Sequence, residues 1–563
     1  MVTRRRLIQI GISSIGTLTL FYTNYNFGSK GKGSSGDDNI SSPATPPFKD
    51  ALPLPFPPID VGNQHQLDVP ANAKHFEIIE EQAMIKMHRD LPETSIWRYR
   101  DTNVDSITAT ALGPTFMVKM GVDKQPICVR FNNQLPIDHK GFGLTHTTVH
   151  FHGGHIESRS DGFPENIDNL GFHPVFEHGG FFDYRYDMED PGYSTGEAHT
   201  FDRPSTLWYH DHFFDFTGPN VYRGLVGFFL IFDELDTGDE NDTSGLQLPS
   251  GEFDLPLVFQ DKQFARDGSL LYNSFDHNGF LGDKFLVNGM VQPFHRVQRR
   301  KYRIRFLNGS NARFYQLFIT DKDRNTYPFD LIATDGGLFS SPIRGRESML
   351  LGMAERREII FDFSQFEAGT AIFVENRLRQ EDGRGPKGDF LRPDTPNKGP
   401  RLLKFIVEGG KVEDNSLVPN SLRPFEPISK AELKRAKVSE FEFDKKQGAW
   451  TINGKLADLS RPMVSPMMNQ PAIWRFINKS GGWWHPIHVH LELMRVISRN
   501  GKRPPLEERD GMARKDTIIL GPNDEVEVFI KFRDYPGPWV FHCHNLEHED
   551  MRMMARFDVK PEE

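Results

Sequence analysis

At 563 residues the chain is too long for one hydrophobic core, and the usual run of about 100 to 200 residues per domain points to three or four. Its 47 Phe and 39 Pro favour strands, turns and packed β-sandwiches over long helices. The 67 basic and 77 acidic residues leave a net charge of −10 with no basic stripe, which excludes nucleic acid as a partner.

The N-terminus places Arg4-Arg5-Arg6 before a mildly apolar run, Leu7 to Tyr22, and a Gly/Ser/Lys segment. Residues 1–27 therefore read as an export signal of the twin-arginine type, against the plainer reading of a disordered basic tail. The apolar run is too short and too polar for a membrane span, and no Ala-x-Ala cleavage site follows it. The expected location is periplasmic or extracellular, with membrane contact only if this segment is retained. Residues 28–74 read as a flexible lead-in.

Three β-sandwich domains are expected next, over 75–235, 252–410 and 436–563. A strand-like pattern ending in Asn recurs as Val129-Arg130-Phe131-Asn132-Asn133, Ile304-Arg305-Phe306-Leu307-Asn308 and Trp474-Arg475-Phe476-Ile477-Asn478. An acidic-apolar strand follows the last two copies, at Glu358-Ile359-Ile360-Phe361 and Glu527-Val528-Phe529-Ile530. Asp233 to Gly251 is an acidic, Gly/Ser-rich linker. Gly409 to about Val438 is a Pro-rich link with a helical stretch near Ser429 to Arg435. The Pro- and Gly-rich loop Gln380 to Pro400 reads as a surface excursion. The chain has two cysteines; Cys128, in an alternating stretch, reads as a small core residue, and if Cys543 is a ligand no intrachain disulfide can form.

Ten of the 21 histidines fall in four short windows, too many for chance placement: His150-Phe151-His152, His210-Asp211-His212, His485-Pro486-Ile487-His488-Val489-His490, and His542-Cys543-His544 with His548. On a strand, residues two apart share a face, so each His-x-His pair can converge on one metal or on two adjacent ones. The segment Leu207-Trp208-Tyr209-His210-Asp211-His212 parallels Trp539-Val540-Phe541-His542-Cys543-His544, with Asp211 where Cys543 stands. Thr147 likewise stands where the third domain has His485. The matching stretch of the second domain, Ile372 to Asn376, has no histidine, so that domain reads as a spacer and a possible part of the substrate wall.

Cys543, His548 and Met553 offer a thiolate, an imidazole and a thioether, the ligand set of a mononuclear blue-copper centre once a second histidine joins from elsewhere. On a strand Cys543 faces one way and its two histidine neighbours the other. Those histidines are then free to bind a second cluster, joined to the first by a few covalent bonds.

On these four motifs the chain resembles the three-domain multicopper oxidases, in the laccase, spore-coat laccase and bilirubin oxidase group, over roughly residues 75 to 560. The resemblance implies an all-β fold of three cupredoxin-like Greek-key β-sandwich domains and four copper ions. It implies His485, Cys543, His548 and Met553 on a type 1 copper and His150 and His488 on a type 2 copper. The remaining six, His152, His210, His212, His490, His542 and His544, would hold a type 3 pair, the trinuclear cluster lying between the first and third domains. Met551 and Met554 flank Met553 and make packing the competing reading there. An axial methionine implies a low-to-medium potential. By the same resemblance Asp161 and Glu549 match proton-relay carboxylates, against the plainer reading of a solvated acid or turn former. Trp483 and Trp484 would shape the electron-uptake surface or simply pack beneath the ligand loop.

The expected activity is removal of single electrons from a phenol, an aromatic amine or a bilirubin-like tetrapyrrole, with O2 reduced to water. The expected partners are thus O2 and a small-molecule reductant, and the expected state is a monomer. The alternatives are a metallo-oxidase acting on Fe(II), Cu(I) or Mn(II), the 17 methionines forming no Met-rich insertion, and a copper-free structural or cell-division protein of the same fold.

Overall fold

A computed structural model describes residues 41–562, apart from 107–108, 122–123, 190–202, 389 and 393–398. The export signal expected over 1–27 and the start of the lead-in lie outside the described residues. Among those described, no helix is long and apolar enough to cross a membrane.

Six sheets pair into three cupredoxin-like sandwiches. The same strand arrangement recurs in each, and the repeated sequence patterns lie at its centre. Lys74–Ile85 runs parallel to Ile127–Asn133, Asp254–Phe264 parallel to Lys301–Asn308, and Lys437–Lys446 parallel to Pro471–Asn478. Each repeat strand then pairs antiparallel with a later one: Phe181–Tyr186, Arg356–Asp362 and Glu525–Lys531 respectively. Alternation sets the faces, as Trp474 and Phe476 are fully buried while Arg475 between them reaches outward to Glu527. Three separate apolar cores result, built around Phe131, Phe306 and Phe476.

The asparagine closing each repeat makes the same turn three times. Its Oδ1 accepts from the backbone N–H two residues on, at Leu135, Ser310 and Ser480. Its Nδ2 donates to the carbonyls of Thr145, Arg313 and Trp483, and in the last two copies also to Leu351 and Gly521. In the third sandwich this turn leads directly into His485.

The connections are more tightly held than their composition suggests. In the acidic linker, Asp233 pairs with Arg423 at 2.8 Å, Asp236 with Arg303 at 2.7 Å and Glu240 with Arg300 at 2.6 Å, all buried. Asp236 and Glu240 thus pin the linker to the second sandwich and Asp233 ties it to the Pro-rich link, because a buried charge is tolerated only when paired. Residues 48–52 of the lead-in lie along the second sandwich. Ala51 bridges Phe294, Leu52 enters the second core and Phe48 packs on Phe373 at 5.4 Å. The helix Lys430–Arg435 forms where expected, closed by a reciprocal Ser429–Glu432 capping box. Cys128 is buried, and burial pushes its thiol up to about 12.

Candidate metal centre

Two strand pairs from the first and third sandwiches face each other. In the first, Val149–His152 pairs with Thr206–Asp211 and sets His150 opposite His210. In the third, His485–Val489 pairs with Gly537–Cys543 and sets His488 opposite His542 and Ile487 opposite Cys543. Eight histidines converge between them: His150, His152, His210, His212, His488, His490, His542 and His544, each at most 1% exposed. Their Nε2 atoms meet across the interface at 3.3 Å for His150 and His488 and 3.1 Å for His212 and His542, and within the third sandwich at 3.3 Å for His490 and His542.

The outward nitrogens fix the tautomers. Nδ1 of His150, His210 and His488 lies 2.6, 2.8 and 2.9 Å from the carbonyls of Asp161, Asp211 and Asp516. A carbonyl only accepts, so each Nδ1 carries the proton and each Nε2 presents a lone pair. Nε2 of His150 and His488 then face one another as lone pairs, and Nε2 of His210 is buried with no hydrogen-bond partner. Such inward lone pairs repel without a cation between them, so the donor set fits a metal cluster. Burial keeps six of the rings neutral: it holds His152, His210, His488 and His490 well below the usual histidine range, and His212 and His544 at about 3.

A second, mononuclear constellation lies on the other face of the same strand. His485 Nδ1 is 3.4 Å from Cys543 Sγ, His548 Nδ1 is 3.6 Å from it, and the two Nδ1 atoms are 3.2 Å apart. The Ser480 hydroxyl donates to Asn478 Oδ1, so its oxygen accepts from His485 Nε2–H at 2.7 Å and leaves Nδ1 with the lone pair. Met553 is fully buried in the same core, its backbone carbonyl accepting from the Cys543 N–H at 3.0 Å. Burial pushes the Cys543 thiol well up, so a cation bound here must displace its proton. Two imidazoles, a thiolate and a nearby thioether suit copper.

Asp161 and Glu549 are both buried at 1% exposure, which removes the solvated-acid reading. Asp161 Oδ2 accepts from His490 Nδ1 at 2.6 Å while its carbonyl holds His150. The following turn needs Gly162, at φ 81, because a Cβ there would lie 2.3 Å from the Val149 carbonyl. Glu549 Oε2 lies 3.0 Å from His542 Nδ1 and its Oε1 3.7 Å from His212 Nδ1. Burial raises its carboxyl, but His542 and His212 outweigh this and hold it at about 2.

Three neighbours had no place in the sequence reading. Asp516 lies 3.4 Å from His152 and pairs with Arg356 of the second sandwich, so the spacer domain reaches the cluster through one ion pair. Trp450 packs on His548 with ring centroids 3.8 Å apart. Ser480 sets the His485 tautomer, as above. Only Ser480 carried a sequence signal, two residues past the repeat asparagine. The loop after Gln380 is largely exposed over its described residues, and its Arg384 carbonyl accepts from the Trp484 N–H at 2.8 Å.

Three β-sandwiches hold one cysteine-containing site and one eight-histidine cluster on opposite faces of a single strand, a donor arrangement suited to two metal centres. Residues 430–563 match the family model described as multicopper oxidase. The chain is 33% identical to a bilirubin oxidase of Albifimbria verrucaria, over 92% of this chain and 82% of that protein. It is 31% identical to a laccase of Bacillus stratosphericus, over 86% and 94%. The crystal structure of the McoA multicopper oxidase from Aquifex aeolicus superposes with a TM-score of 0.72 at 26% identity, covering 91% of this chain and 99% of that one. The chain belongs to the multicopper oxidases, copper-dependent oxidoreductases that use O2 as acceptor.

Proposed function

We propose that the protein takes single electrons from a phenolic, aromatic amine or bilirubin-like reductant and uses four of them, with four protons, to convert O2 to two waters. The observation that carries this reading is the single strand Gly537–Cys543 that serves both centres: Cys543 faces His485 and His548 while His542 meets His490 of its own sandwich and His212 across the interface. Four coppers fit the donor set, one type 1 on His485, Cys543, His548 and Met553, one type 2 on His150 and His488, and a type 3 pair on the other six histidines. When bound, they supply one-electron uptake at the first site and multi-electron O2 reduction at the second.

The protein's own groups do the rest. Carbonyls of Asp161, Asp211 and Asp516 keep three imidazoles in the ligating tautomer. Asp161 and Glu549, within reach of His490 and His542, are placed to accept protons and pass them on beside the cluster. Burial of all eight histidines keeps bulk water from the reacting centre. The basic and apolar N-terminus supports action outside the cytoplasm, after export by the twin-arginine route.

Oxygen uptake by copper-loaded protein with a phenolic dye tests the reading. The expected result is a blue protein that consumes one O2 for every four one-electron oxidations and releases no hydrogen peroxide. Colourless protein without O2 uptake, or peroxide as the main product, contradicts it.

A further inference from the structure

The cysteine-containing site is sealed from solvent. His485 and His548 have no exposed surface, and Trp450 closes the site over the His548 ring. The Trp450 indole N–H donates to the His277 carbonyl at 2.5 Å, which locks the ring in place. A reductant cannot touch a ligand histidine directly and must give up its electron from the rim outside this cover.

That rim pairs aromatic faces with cations. Lys445 Nζ sits 4.4 Å from the Trp450 ring centroid and 4.5 Å from that of Trp483, and donates to Asn278 Oδ1 at 2.5 Å. The Arg384 guanidinium lies 5.4 Å from the Trp483 ring. Trp483 stands edge-on to Trp450 at 4.8 Å and 5.6 Å from His548, and is half-buried. Asp382 pairs with Arg384 at 3.8 Å and Asp276 faces Lys445, both acids being exposed. Lys445 and Arg384 are the groups that lie against the faces of the covering tryptophans.

We propose that Lys445, Trp483 and Arg384 form the docking site of the reductant and select an aromatic that carries a carboxylate or sulfonate. This rests on the oxidase reading above and narrows its substrate class. The aromatic body packs on Trp483 while its anionic group meets Lys445 and Arg384. Each docked reductant loses one electron and leaves as its radical, and four such events supply the four electrons that, with four protons, take O2 to two waters.

Calorimetric binding of naphthalene sulfonate, an anion that donates no electron, to the copper-loaded protein reads the rim without turnover. Naphthalene methanol serves as its neutral counterpart. The expected result is that Lys445→Gln combined with Arg384→Gln weakens sulfonate binding about tenfold and shifts the alcohol less than about twofold, while Lys445→Arg retains the sulfonate. In steady state the same double variant raises the KM of an anionic relative to a neutral aromatic reductant by about tenfold. Sulfonate affinity that is the same in parent and double variant, or a KM ratio that does not move, overturns the proposal. A protein that consumes no O2 contradicts the oxidase reading alone, because the sulfonate affinity is read independently of it.

Discussion

Single atoms decide which nitrogen of each ring can bind a metal. Ser480 accepts from His485 Nε2–H only because its own proton is committed to Asn478 Oδ1. Ser480→Ala removes that constraint, and the type 1 copper should be lost to a chelator about 10- to 100-fold more readily, the usual penalty for removing an outer hydrogen-bond partner. Retention equal to the parent protein's would show that the tautomer is set elsewhere. Asp161 and Glu549 differ from Ser480 because their carboxylate oxygens lie against cluster histidines. Asp161→Asn or Glu549→Gln should lower turnover about 100-fold, within the range of general acid–base contributions, with copper content unchanged. A parallel loss of copper and activity would make them structural. The convergence of the histidines was readable from their pairing at alternate positions, and Asp161 and Glu549 were singled out by the family resemblance. Asp516 and Trp450 were not, because sheet register, rather than sequence proximity, brings them to the rings they touch.

The element that organises the site is the repeat strand and its closing asparagine. Asn478 is buried and satisfies two carbonyls and one backbone N–H in the turn that delivers His485. Asn478→Ala leaves those groups unpaired in the core, which should destabilise the third sandwich by about 2 to 4 kcal/mol and lower its unfolding midpoint in denaturant. An unchanged midpoint would mean that water or a local shift repairs the turn. The three repeat strands were visible in the sequence as an alternating pattern ending in Asn, and so was the number of sandwiches. The buried state of the acidic linker was not visible, because its partners Arg300, Arg303 and Arg423 are remote in sequence and a run of Asp and Glu reads as solvated until they are seen.

For the whole molecule, burying so many uncharged histidines makes stability depend on pH in a definite direction. Eight rings, those of His152, His210, His212, His485, His488, His490, His544 and His548, are held below their ordinary 6.5 chiefly by burial. As pH falls below 6.5 the unfolded chain takes up protons that the folded state refuses, so copper-free protein should lose stability progressively from about pH 6.5 towards pH 3. Its Tm should drop steeply over that window, and copper-loaded protein should hold its Tm to lower pH because bound metal competes with protons. A flat profile for the copper-free form would contradict the neutral-ring assignment. At this scale the first and third sandwiches meet face to face through histidines, and the second is tied in by the Arg356–Asp516 pair. The molecule works as one device only if electrons cross from the sulfur site to the histidine cluster along Gly537–Cys543. Turnover and copper content of Cys543→Ser test that most directly. The account predicts a colourless protein with no measurable oxidation of a phenolic reductant that still binds copper at the eight-histidine cluster; oxidation at the parent rate would contradict it.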